Sequence, residues 1–176
     1  MDRASLFRKV LEEHKNRVYT EAYYSLGSEM DAEDVTQEAF VRLWKNFSEI
    51  DLERVGGWLV RVTRNLCIDT IRRRQADNTR LSTDDPESAM ENARSEEADP
   101  RDKALHSEEE KWIRESIVSL EEPYRSTVIL REIQHLSYDE IAEALKIPIG
   151  SVKVHLHRGR KMLRELLRRE MTLYEN

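Results

Sequence analysis

Between residues 77 and 107 the hydrophobic period of this chain disappears. The stretch is rich in Asp, Glu, Ser, Asn and Ala, and it carries Pro86 and Pro100. Such a composition offers no apolar stripe to a core and reads as a linker. On either side, apolar residues recur at spacings of three and four, the period of amphipathic helices. Strand signals are nearly absent, and only 5 Gly and 4 Pro occur in 176 residues. The expected fold is all-α: two small helical domains, 1–76 and 108–176, joined by a flexible acidic linker over 77–107.

The net charge of −6 argues at first against a nucleic-acid partner. Its distribution argues otherwise. Residues 1–76 carry 13 acids and 13 bases, residues 77–110 carry 12 acids and 4 bases, and residues 111–176 carry 10 acids and 12 bases. The acidity sits in the middle, so both ends are free to present basic faces.

Several classes are disfavoured. Arg3, Arg8, Lys9, Glu12 and Glu13 interrupt every apolar run that a signal peptide would need. No segment approaches the ~18 apolar residues of a membrane span. Cys67 is the single cysteine, and no Cys/His spacing suggests zinc. The five histidines, His14, His106, His135, His155 and His157, show no metal spacing. No phosphate-binding loop, nucleophile elbow or paired-carboxylate site is recognisable. The expectation is a cytoplasmic protein with no catalysis, metal, cofactor or membrane insertion of its own. Cys67 reads as a small buried residue.

In the first domain, a helix is expected over Leu6 to Leu26, burying Phe7, Val10, Leu11, Val18 and Ala22, with Gly27 as its stop. Asp31 reads as the N-cap of a second helix through Trp44. Val35, Ala39, Leu43 and Phe47 repeat at spacing four and should face the core. Asn46 to Gly57 reads as a connection containing a Gly-Gly pair. A third helix is expected over Trp58 to about Arg74, with Leu59, Val62 and Leu66 buried. Asp69 could pair with Arg72 or Arg73 along it. In the second domain, Ser107 with Glu110 and Ser137 with Glu140 fit capping boxes, the latter flanked by Leu136 and Ile141 at staple positions. Pro123 can open a helix through about Ile133.

The segment SYDEIAEALKIPIGSVKVHLHRGRKMLRELL, residues 137–167, is the most informative. A short capped helix over Tyr138 to Leu145 precedes a connector, Lys146 to Gly150, that contains the helix breaker Pro148. A second helix is expected from about Ser151 to Arg168. This is the helix-turn-helix pattern. Val152, Leu156, Leu163 and Leu166 form its inner stripe, and Gly159 permits a close helix contact. Lys153, Val154, His157, Arg158 and Lys161 then project outward with no acid until Glu165. In such a motif the second helix enters the major groove. There Lys153 and Arg158 can donate to guanine or phosphate, Val154 can touch a thymine methyl, and Ser151 can donate to phosphate.

The chain resembles a known family. The segment DAEDVTQEAFVRLWKNF, residues 31–47, resembles the helix by which sigma factors grip the clamp of RNA polymerase. The matching residues are Asp34, Gln37 and Glu38, on the face opposite Val35, Ala39 and Leu43. The segment WLVRVTRNLCIDTIRRRQ, residues 58–75, resembles the family's promoter −10 region. It implies DNA contacts from Arg61, Arg64, Asn65, Ile68 and Arg72. The run LEEPYRSTVILREIQHLSYDEIAEAL, residues 120–145, matches the family ahead of and into the helix-turn-helix. Ser151, Lys153, Val154, His157, Arg158 and Lys161 then fall where the −35 element is read. The order of these segments, without the extra regions of housekeeping factors, resembles the extracytoplasmic-function class of the sigma-70 family. The resemblance implies a transcription initiation factor that binds polymerase core and promoter DNA and is held by an anti-sigma factor. It places capture of an unstacked −10 base in the loop from Asn46 to Val55, where Phe47 is the one aromatic.

Three alternatives stay open on sequence alone. A helix-turn-helix regulator of another class would share the C-terminal module. An enzyme would need a site that the motifs do not show. An adaptor would bind polymerase without DNA.

Overall fold

The computed structural model describes residues 2–84 and 108–174. All regular structure among them is helical. The first domain holds α1 (Arg3–Leu26), α2 (Glu29–Asn46), a 3-10 turn (Leu52–Arg54) and α3 (Val55–Asp84). The second holds α4 (Glu108–Val118), α5 (Tyr124–Val128), α6 (Tyr138–Leu145) and α7 (Ile149–Tyr174). A π-helical segment, Ile129–Ile133, continues α5.

α1 ends where expected. Gly27 sits at φ 69°, and its N–H donates to Tyr23 O. That left-handed conformation suits a residue without Cβ. The start of α2 differs from expectation. Ser28, not Asp31, is the N-cap: its hydroxyl accepts the N–H of Asp31, which lies inside the first turn. The Asp31 carboxylate is instead drawn away to pair with Arg74 of α3, whose guanidinium also donates to Leu26 O at 3.3 Å. Arg74 thereby ties α3 to the α1–α2 corner.

α3 starts earlier and runs longer than expected. Asp51 caps the 3-10 turn through the Glu53 N–H, and that turn leads directly into helix at Val55. The Gly56–Gly57 pair therefore lies in the first turn of α3, where it allows close approach. A Cβ on Gly56 would meet His14 Cε1 at 3.3 Å, and one on Gly57 would lie 3.9 Å from Ala144 Cα. At its other end α3 continues through Asp84, into the segment expected to be linker. The expectations for residues 85–107, including the Ser107 cap, lie outside the described residues. Asp69 makes no ion pair among the described residues.

The first core contains Val10, Val18, Ala22, Val35, Ala39, Leu43, Phe47, Leu59 and Leu66, with Trp58 packed against it half-buried. Cys67 is buried in the same cluster, and burial pushes its thiol pKa up. In the second domain the Ser137–Glu140 capping box forms in both directions, at 2.7 and 3.2 Å. Leu136 and Ile141 are buried beside it in one cluster. α6 ends on Lys146 at φ 54°. α7 begins at Ile149, before the expected Ser151, because Pro148 O accepts the first N–H groups, from Ser151 and Val152. It runs on through Tyr174, past Arg168.

The two domains pack against each other. Val60 of α3 is buried in the cluster of Leu130, Leu136, Ile141, Ala144, Val152 and Leu156. Tyr24 of α1 packs on Ile117, Leu120, Val128 and Ile129. Burying such apolar side chains contributes ~25 cal/mol per Å² removed from water.

Candidate polymerase and nucleic-acid interfaces

α2 divides cleanly by face. Ala32, Val35, Ala39 and Leu43 are buried, while Asp34, Gln37 and Glu38 are exposed on the opposite side. Glu38 accepts from Arg42 Nε at 2.8 Å, which leaves Asp34 as the less engaged carboxylate. The outward face continues into Val41, 45% exposed, and Trp44, 42% exposed. Sequence reading singled out neither. Their spacing of four from Gln37 and seven from it places them on the same side, and that was the available signal. Trp44 is held in place by an edge contact with Phe7 and by Arg3, whose guanidinium lies 4.6 Å from the ring centroid.

α3 presents three faces. Leu59, Leu66 and Val55 enter the first core. Arg61, Asn65, Ile68 and Arg72, spaced by four, three and four, share an outer stripe. Asn65 and Arg72 are exposed, and Arg61 and Ile68 are half-buried. Arg64 departs from this stripe. It turns toward the second domain, where Nε donates to Ser126 Oγ at 3.1 Å and Nη2 lies 3.5 Å from Glu122 Oε2. Of the Arg72–Arg74 run, Arg74 is spent on Asp31, and Arg73 reaches Thr70 Oγ1 at 3.4 Å. Arg72 makes no ion pair among the described residues.

The loop before α3 offers less than its sequence promised. Phe47 is only 6% exposed and packs edge-on against Phe7. It is a core residue, because its spacing of four from Leu43 continues the buried stripe. Leu52, 41% exposed, is the apolar side chain that this loop leaves at the surface.

The helix-turn-helix is built from α6 and α7. Val152 and Leu156 are buried, and Leu163 and Leu166 pack half-buried against a second apolar cluster. Gly159 is where α7 meets α5: a Cβ there would come within 2.7 Å of Val128 Cγ2. Lys153, Val154, His157, Arg158 and Lys161 are exposed together, and Ser151 is half-buried at the start of the helix. No carboxylate pairs with these bases among the described residues. The basic residue that is paired, Arg160, sits on another side and meets Glu132 at 2.6 Å. His155 turns inward, edge-on to Tyr124. Arg131 and Arg125 are internal props. Arg131 donates to Leu136 O at 2.7 Å and lies over the Tyr138 ring, and Arg125 donates to Leu120 O at 2.8 Å.

Residues 10–76 match Sigma-70 region 2, and residues 110–163 match Sigma-70, region 4. The chain is 34% identical over 166 residues to the ECF RNA polymerase sigma factor SigW of Bacillus subtilis, covering 92% of this chain and 89% of the relative. The chain belongs to the extracytoplasmic-function sigma factors. As a sigma factor of this class, it binds RNA polymerase and directs it to promoters. The fold agrees with solved structures. The sigma factor RpoE of Bartonella quintana, solved with the anti-sigma factor NepR, superposes with a TM-score of 0.70 at 20% identity, covering 92% of this chain and 96% of that one. CnrH, solved with the cytosolic domain of CnrY, gives 0.64 at 23%, covering 93% and 88%. No helix among the described residues is long and apolar enough to cross a membrane. No group of His, Cys, Asp and Glu among them is arranged to hold a metal.

Proposed function

We propose a division of labour for this sigma factor. Asp34, Gln37 and Glu38 dock the first domain on polymerase core. Arg61, Asn65, Ile68 and Arg72, with Arg64 once it is released, hold the −10 element as it opens. Ser151, Lys153, Val154, His157, Arg158 and Lys161 read the −35 element as duplex. The observation that carries this reading is the outer face of α7, where Lys153, Val154, His157, Arg158 and Lys161 are exposed together without a paired acid. A solvated helix face ordinarily mixes both signs. A face of bases around an apolar Val154 suits phosphates, guanine edges and a thymine methyl.

The protein works in the cytoplasm, catalyses nothing itself and is restrained by an anti-sigma factor. Phosphate contacts set affinity and salt dependence. The acidic residues 77–107 oppose DNA binding by the free chain, so polymerase supplies most of the positive channel. The test is run-off transcription from a genomic fragment library with purified core, with and without the protein. New discrete transcripts that share paired upstream elements are the expected result. Core binding without new transcripts would make the chain an adaptor. Absence of core binding would leave only a helix-turn-helix regulator.

A further inference from the structure

The cationic face of α7 outruns the residues assigned to the −35 element. α7 is 26 residues long, from Ile149 to Tyr174, while the match to Sigma-70, region 4 stops at residue 163. Past that point Arg164 and Arg168 are exposed. At about 100° per residue, Lys153, His157, Lys161, Arg164 and Arg168 fall within an arc of about 80°. They lie on the side away from the buried Val152, Leu156 and Gly159. Arg160, at the inner edge of this stripe, is the one that pairs, with Glu132. Arg164 Nε donates to Arg160 O at 3.3 Å, within its own helix, and meets no acid among the described residues. The exposed Glu165 stands beside the stripe, past Lys161.

Two ordinary uses of cations do not account for this stripe. Cations offset the dipole at a helix C-terminus, but only within the last turn. Arg164 and Arg168 both precede the last turn of a helix that ends at Tyr174. A face kept only for solvation ordinarily mixes both signs. Base reading does not use the whole stripe either. From Lys153 to Arg168 it climbs about 22 Å at ~1.5 Å per residue, against ~12 Å for the width of the major groove. Side chains at its far end therefore meet the wall of the groove, which is sugar and phosphate. Both of the added residues are arginines, whose planar fork matches phosphate oxygens in pairs.

We propose that Arg164 and Arg168 grip the phosphate backbone of duplex DNA flanking the −35 element, without regard to sequence, while Lys153, Val154 and Arg158 read base edges. The proposal rests on the assignment of α7 to that element. The grip supplies affinity, salt dependence and register, and no discrimination between sequences.

The test uses holoenzyme assembled from purified core and the full chain, on promoter fragments with an intact or a scrambled −35 element. With Arg164→Ala and Arg168→Ala together, the slope of log affinity against log salt should lose about 2 of its magnitude, close to one per phosphate contact. Affinity should fall roughly fivefold or more at moderate salt, equally on both fragments. Arg164→Lys with Arg168→Lys keeps the charge and should recover most of the slope, which a merely structural role would not predict. An unchanged slope overturns the grip. A loss confined to the intact fragment also overturns it, because the pair would then be base readers. So does a loss of core binding at the parental slope, which would assign the stripe to an acidic protein surface. Lys153→Ala with Arg158→Ala tests the underlying assignment separately, since it should abolish discrimination between the fragments. Discrimination equal to the parent's would sink that assignment and the grip with it, whereas failure of the grip alone leaves that loss of discrimination in place.

Discussion

The guanidinium of Arg64 lies 3.5 Å from the carboxylate of Glu122, across the boundary between the two domains. Both side chains are about a quarter exposed, so the pair is only partly screened by solvent. A double-mutant cycle of Arg64→Ala and Glu122→Ala, read by denaturant unfolding, should give a coupling of about 1 kcal/mol. Raising the salt concentration should reduce it. Strict additivity of the two single variants would mean that the pair holds nothing.

Glu21 makes the stability of the packed state depend on pH. Its pKa is raised in the folded chain by burial, so its contribution is complete below the ordinary value of 4.5 and is lost as pH rises through the raised one. Stability should therefore fall as pH rises above the ordinary carboxylate value. Glu21→Gln, which mimics the neutral form, should flatten that slope. The check is a set of denaturation midpoints from acid to alkaline pH, and identical slopes for the two proteins would count against a neutral Glu21.

Gly159 and Gly150 share a helix but should respond oppositely to alanine. At Gly159 a new Cβ meets Val128 Cγ2 at 2.7 Å and Tyr124 Cβ at 3.4 Å. Gly159→Ala should destabilise by about 1–3 kcal/mol through overpacking. At Gly150 a Cβ meets nothing within 4 Å. There alanine should be neutral or stabilising by up to ~1 kcal/mol, because it restricts the unfolded chain. Thermal melts of the two variants decide the matter.

Ser137 and Glu140 close the start of α6 reciprocally. Ser137→Ala should cost about 1 kcal/mol, a drop of roughly 2–4 °C in Tm for a chain of this size. The Glu140 carboxyl is held below its usual range by the Ser137 N–H that it accepts. The cap's contribution is therefore present above the ordinary carboxylate pKa and fades as pH falls through the lowered one. A melt of the variant that matches the parent at neutral pH would show the cap to be dispensable.

Lys153→Ala with Arg158→Ala removes two long bases from the exposed face of α7. Promoter-specific transcription should fall at least tenfold while core binding in a pull-down stays unchanged. Because neither side chain packs in the core, Tm should move little. Transcription at the parental level would remove α7 from the −35 assignment.

The sequence by itself determined whatever short-range physics can specify. Apolar spacings of three and four marked the helices. Gly27 marked the stop of α1, Ser137 and Glu140 the start of α6, and Gly159 a close helix contact, whose partner α5 only the structure showed. Each of these signals acts within a few residues of itself, or through the stripe of a single helix. The exposed face of α7 was legible for the same reason, since one helix repeat fixes which residues point away from Val152 and Leu156.

Tertiary structure decided where long polar side chains spend their charge. Arg74 goes to Asp31, so Ser28 takes over the cap that Asp31 was expected to provide. Arg64 goes to Ser126, 62 residues away, and Arg17 goes to Gln134, 117 residues away. Local sequence cannot encode such partners, because an arginine looks alike on a free face and in a contact. The burial of Glu21 likewise depends on α3 and the second domain covering α1 together. What the sequence left open was how the two domains meet, and the exchange of water for protein at Val60, Glu21 and Arg64 is set only once the whole chain is packed.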